Sequence, residues 1–393
     1  MMRALALLAI LVAACGDDAG TTPEPDAPVI PMPGTFTVTG VVRYEDRPPL
    51  DNGSLGPIAP KVARGVAISV ISEATSMALA TGVVGDDGTF SLTFDALGGE
   101  SVHLLAATFS DAPARPITVA RRNKMVHGFG GATFGAGLVS TQAVLVTVAS
   151  KSAQAFNVFD ELVVTMDAVH TLLKNPTPTP LTAVWQDGSD DGTYYWEREI
   201  YLLGEAADDD GFDDTVIHHE AGHYIEDVEG RSDSEGGGHD GSPTDPRLAW
   251  SEGFATYWAL AVRAHPIYCD SNADGGWSYN ADTTNTVAEP TGMQDQLVSE
   301  DMVSEILWDL GDSGTTDDDT LPGTHGAVLL VQPEYLRTAT LRVIGTVGVD
   351  LVDLLDGFFV AGGLTGCAEV RAIVQARHHF PYDFAGPAGS CPP

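Results

Sequence analysis

A chain of 393 residues exceeds one typical domain, and its 44% hydrophobic content is enough to bury real cores. Fifty-five acidic against 19 basic residues give a formal charge of −36, which argues against nucleic acid or an anionic lipid surface as a partner. The four cysteines include no CxxC pair, which argues against a cysteine-built zinc site.

Residues 1–15, MMRALALLAILVAAC, combine Arg3, an apolar run from Ala4 to Val12 and small residues before Cys15. The run is too short to span a bilayer and predicts a signal peptide. Its ending, Leu11-Val12-Ala13-Ala14-Cys15, resembles the lipobox of bacterial lipoproteins. That resemblance implies a lipid anchor on Cys15 and a place in the bacterial cell envelope, with Gly16 implying the outer membrane; the alternative is plain secretion. Residues 16–34 are polar and proline-rich without periodicity, as a disordered tether should be. Cys269, Cys367 and Cys391 remain after processing, and Cys367 with Cys391 is the expected disulfide.

From Phe36 apolar and polar residues alternate, in TFTVTGVVRY, GVAISVI, GTFSLTF, VHLLAATF and QAVLVTVA. Period two with Gly and Asp between the runs predicts half-buried antiparallel strands, so residues 35–150 are expected to form an all-β sandwich. Over 35–109 the order VTGVVRYED, ARGVAISVIS, ALATGVVGDDGTFSL resembles the carboxypeptidase-regulatory-like family of transthyretin-type β-sandwiches. The resemblance implies a spacer or adhesion-like module without chemistry. His103 and His127 fall in or near strands and are expected to be structural.

Residues 151–393 change character. Phe156, Phe159, Leu162, Val163 and Met166 recur at helical spacing, EIYLLG reads as a strand, and VSEILWDLGD as a further helix. Between them lies TVIHHEAGHYIEDVEG, Thr215 to Gly230, which holds three of the chain's eleven histidines within six positions. On a helix, positions i and i+4 share a face, so His219 and His223 can present two imidazoles to one ion while Glu220 reaches the water beside it. His218 sits about 100° round from His219 and points elsewhere. Twenty-nine positions beyond His223, Glu252 stands in LAWSEGFATYWALAVRAH, where Trp250, Phe254, Tyr257, Trp258 and Val262 mark an apolar stripe. A lone glutamate fits that stripe poorly unless something cationic meets it.

HEAGHY followed by WSEGFATY resembles the gluzincins, zinc metallopeptidases of the thermolysin and membrane-alanyl-aminopeptidase type. The resemblance implies an α+β, mainly helical catalytic domain with Zn2+ held by His219, His223 and Glu252. It implies Glu220 as the base that activates water at the metal, with EIYLLG near a substrate-binding edge strand. Thr256 stands where thermolysin-like enzymes place an aspartate that orients a histidine, and Asp227 is a further outer candidate. For the oxyanion stabiliser His325, Tyr257, His239 and Tyr335 compete, with His325 favoured. No GAMEN-like exopeptidase signature precedes the motif. Ca2+ is a further candidate ligand, at DSNADG, Asp270 to Gly275, whose twelfth position is Ala281 rather than Glu, or at DDDGFDD, Asp208 to Asp214. The whole is expected to be multidomain and to cleave a peptide or protein. The rivals are an inactive binding protein on the same fold and a structural metal domain with a fourth protein ligand.

Overall fold

A computed structural model describes residues 32–287, 298–313, 319–342 and 347–392. The signal peptide, Cys15 and nearly all of the tether lie outside the described residues.

The amino-terminal body consists of two sheets with a common interior. In the first, strand Pro33–Asp46 pairs antiparallel with Thr89–Leu97 and Ala59–Val62, and parallel with Thr141–Val146. In the second, Ala67–Ser72 lies between Ala78–Val83 and Ser101–Ala107. Alternate residues point inward, as period two requires: Val38, Val42, Phe90, Leu92 and Phe94 from one sheet meet Ile68, Val70, Val102 and Leu104 from the other.

A third, mixed sheet runs across the expected 150/151 boundary. Its order is Tyr194–Trp196, Glu199–Tyr201, Leu181–Val184, Arg115–Ala120, Phe109–Ala112. Arg115–Ala120 pairs in parallel with Leu181–Val184, with Ile117 opposite Leu181 and Val119 opposite Ala183. Parallel neighbours need a long crossover, and helix α1 (Ala153–Thr171) supplies it. Glu199–Tyr201, the expected strand, is internal; the edge strand is Tyr194–Trp196, antiparallel to it.

Helix α1 is buried almost all round, with Phe156, Phe159, Leu162, Val163 and Met166 in the core. Helix α2 (Asp214–Val228) packs against Tyr194–Trp196 and Glu199–Tyr201 of the third sheet, α3 (Pro246–Arg263) packs on α2, and α4 (Glu300–Gly311) on α3. The starts of α3 and α4 are written in the sequence: Asp245 accepts from the Arg247 N–H ahead of Pro246, and Ser299 accepts from the Met302 N–H ahead of Glu300 and Asp301. Among the described residues no helix is long and apolar enough to cross a membrane. Cys367 and Cys391 form the disulfide, and Cys269 is a buried free thiol.

The amino-terminal body is tied to helix α1 by polar contacts. From it, Tyr44 Oη donates to Asp160 and Asn157 of α1 at 3.2 Å each, Lys61 Nζ lies 2.8 Å from Glu161 and 2.9 Å from Asp160, and Arg64 Nε donates to Asp160 at 2.5 Å. Glu161 in turn accepts from His218 of α2, so the two regions share a buried polar network.

Helices α2 and α3 approach closely because Gly222 has no side chain. A Cβ there would lie 2.6 Å from Ala255 Cα, in a contact of helix against helix that cannot yield without moving a backbone. Gly222→Ala is expected to cost about 1–3 kcal/mol of stability, read as a lower urea midpoint. An unchanged midpoint would show that the helices have room to part.

Candidate active site

Gly222 faces α3 from between the motif histidines, three residues after His219 and next to His223, so the close crossing brings both against Glu252. His219 Nε2 lies 3.2 Å and His223 Nε2 3.1 Å from the same Glu252 oxygen, Oε2. One ligand atom from each residue falls within 4.8 Å of the others. The imidazole rings stand edge to face, with centroids 4.9 Å apart. Two imidazoles and a carboxylate match the donor set of a hydrolytic zinc site with an open position.

The far nitrogens of both rings are held. His219 Nδ1 is 3.1 Å from Thr256 Oγ1, and His223 Nδ1 is 3.3 Å from Ser251 Oγ, which donates to Glu226 Oε2 at 2.6 Å. An Nδ1–H directed to these hydroxyls leaves each Nε2 lone pair free for a cation. Burial pushes the Glu252 carboxyl up, but the adjacent His223 and His219 outweigh it and hold the group well below the usual carboxylate range. Burial pulls His223 down, and the Glu252 carboxylate more than offsets it, raising the imidazole to about 9. Without an ion the pair is held together by a proton on the imidazole, and an ion bound between them would have to displace that proton.

Glu220 lies on the cleft wall, 6% exposed, and its Oε2 is enclosed with no hydrogen-bond partner. Burial drives its carboxyl pKa upward. His218 is turned away, as expected: wholly buried, it meets Thr165 Oγ1 at 3.0 Å and Glu161 Oε2 at 3.1 Å. His103 and His127 make structural contacts, to Glu73 and to the Trp185 carbonyl.

The oxyanion candidates separate clearly. His325 is not in the cleft: it sits against Trp308 and Tyr257, its Nδ1 3.2 Å from Tyr257 Oη, and burial lowers its imidazole to about 4. Tyr257 is thereby committed to the core, and Tyr335 packs against Gly357. His239, on the loop between α2 and α3, does reach the site. Its Nε2 lies 3.5 Å from Glu252 Oε2 and its Nδ1 2.7 Å from Glu300 Oε2, and the hydrogen bond it donates to Glu300 raises its pKa. Asp227 is exposed on the cleft wall, where it accepts from Tyr195 Oη rather than meeting His223, so the outer partner of the His223 side is Glu226. Neither Glu226 nor Glu300 has a spacing signal in the sequence.

His219, His223 and Glu252, which could hold a metal ion, open onto a cleft of about 940 Å3. The edge strand Tyr194–Trp196 forms part of one wall, and Tyr268 and Trp277 part of another. The two acidic loops converge here: Asp208, Asp210 and Asp270 each place an oxygen within 4.8 Å of the others. Ala273 N–H donates to Ala207 O at 2.9 Å, and Ser271 Oγ to Asp213 Oδ2 at 2.9 Å. Asn272 Oδ1 instead accepts from the Asp274 and Gly276 N–H groups, so it closes its own turn.

A family model described as the Mycolysin C-terminal domain matches residues 169–337, a stretch that contains His219, Glu220, His223 and Glu252. The match associates that part of the chain with metallopeptidases. No curated protein matches the chain. Among solved structures, the major plantain pollen allergen Pla l 1 is 13% identical over 29% of this chain and 92% of its own, with a TM-score of 0.18. A 9R-lipoxygenase from Cyanothece is 10% identical over 35% of this chain and 24% of its own, with a TM-score of 0.17. At these scores neither bears on the fold.

Proposed function

We propose that the chain is a gluzincin-type zinc metallopeptidase, held in the cell envelope through Cys15, that hydrolyses peptide bonds. The observation that carries the reading is the meeting of His219, His223 and Glu252 on one oxygen's reach at the floor of a cleft, beside a buried, unpartnered Glu220 oxygen. His219, His223 and Glu252 would hold the ion, and zinc bound there would supply Lewis acidity and a water of lowered pKa. Glu220 Oε2 takes the proton of the attacking water and returns it to the leaving amine. The unpaired edge of Tyr194–Trp196 offers backbone groups to an extended substrate. His239, fixed by Glu300, is the donor best placed for the oxyanion, in the role expected of His325.

A closed structural site draws on one observation, the approach of His239 to Glu252. His239 groups with Glu252 and Glu300 rather than with the histidine pair, which favours an open fourth position. The deciding experiment measures zinc content and hydrolysis of a mixed peptide library before and after chelation. One zinc per chain and cleavage that is lost and restored with zinc is the expected result. Zinc without any cleavage sinks the enzyme reading and leaves the metal site; full zinc content in His219→Ala sinks the ligand assignment.

A further inference from the structure

Eleven of the thirty residues lining the cleft are Asp or Glu and none is Lys or Arg. In the whole chain 55 of 393 residues are acidic, so the cleft is far more anionic than the protein around it. The proposed hydrolysis uses Glu220 and Glu252, with Glu226 and Glu300 behind the histidines, and gives Asp208, Asp210 and Asp270 no task.

Asp208, Asp210 and Asp270 stand together, and among the described residues no Lys, Arg or His forms an ion pair with any of them. Burial and mutual repulsion push Asp210 up to about 8 and Asp270 up to about 6. Like charges kept together without a counter-charge are costly, and a cationic ligand removes the cost. Unmet acceptor capacity points the same way. Asp208 Oδ1 is enclosed and has no hydrogen-bond partner, and further along the cleft, on the His223 side, the same holds of Oε1 of Glu226, which is 1% exposed. The aromatic neighbours suit a cation as well. Tyr268 stands edge-on to His219 at 6.0 Å, and Trp277, 50% exposed, stacks on Tyr268 at 5.6 Å.

Resting on the peptidase reading, we propose that the cleft selects peptides with a lysine or arginine near the bond to be cut, the charged head received by Asp208, Asp210 and Asp270 and its stem flanked by Trp277. A calcium ion fits the same place less well. It takes roughly six to eight oxygen ligands, whereas Asp210 Oδ2 already accepts from Thr193 Oγ1 and Asn272 Oδ1 is used by its own turn. An aromatic wall offers calcium nothing.

The test uses the full zinc-loaded chain and peptides of one length that differ at a single position, Lys, norleucine or Glu. The Lys peptide is expected to exceed norleucine by about tenfold in kcat/KM, with Glu slowest. Raising the salt about tenfold should shrink that margin in the wild-type protein. In Asp208→Asn/Asp270→Asn the margin is expected to fall to about twofold, through a higher KM for the Lys peptide. Equal cleavage of the three peptides overturns the proposal, as does a margin that survives both the salt and the double substitution. Equal cleavage together with tight calcium binding that the double substitution removes assigns the aspartates to a metal ion instead. If no peptide is cleaved, the peptidase reading fails, and binding decides the selectivity: Lys bound more tightly than norleucine upholds it, equal binding ends it.

Discussion

Glu220→Gln is expected to lower kcat/KM by about 10²- to 10⁴-fold while the zinc content and the thermal midpoint stay at the wild-type values. The amide keeps the size and shape of the carboxyl but takes no proton. Glu220 makes no contact at Oε2, so the substitution breaks no hydrogen bond at that atom. The metal trio is also left in place, because His219, His223 and Glu252 meet one another without Glu220. Zinc content and hydrolysis measured on the same preparation separate the outcomes. Activity within about threefold of wild type would show that the water is activated elsewhere. Loss of zinc together with activity would instead move Glu220 into the ligand set.

Those parts of the site that depend on local periodicity were legible in the sequence. The i, i+4 relation of His219 and His223 follows from the helical repeat, and Glu252 betrays itself as a charge in an apolar stripe that is otherwise buried. The parts built by contacts between distant segments were not. Glu226 reaches His223 through Ser251, and Glu300 reaches Glu252 through His239, contacts that no spacing rule anticipates. The oxyanion stabiliser has no spacing rule either, and the favoured His325 packs against Trp308 outside the cleft.

Strand pairing failed in the same way as the distant contacts. Arg115–Ala120 falls within the stretch 35–150 expected to form the sandwich, but its neighbour Leu181–Val184 lies beyond α1, a pairing that no local pattern announces. The two acidic loops each looked like a separate calcium candidate, and they become a single feature once α2 and α3 pack together.

The second large effect is expected far from the cleft, at Glu161→Leu, which should destabilise the chain by about 2–4 kcal/mol in urea unfolding. Glu161 is 5% exposed and joins three elements: it accepts from Lys61 Nζ of the amino-terminal body at 2.8 Å and from His218 Nε2 of the motif helix at 3.1 Å. Burial pushes its carboxyl up, and His218 and Lys61 outweigh that and hold it well below the usual range, which marks an ionised, paired group. Leucine fills the volume but leaves His218 Nε2 unsatisfied, since that ring is wholly buried. Lys61 keeps Asp160 at 2.9 Å, so the larger share of the cost should arise at His218. His218→Phe in the Glu161→Leu background should therefore recover part of the loss, and the double-mutant cycle measures how much. Because His219 follows His218 on α2, weaker zinc retention should accompany the loss of stability. A Glu161→Leu protein with wild-type stability would mean that the two regions fold independently. In that case the amino-terminal body would be the spacer its sequence resembles.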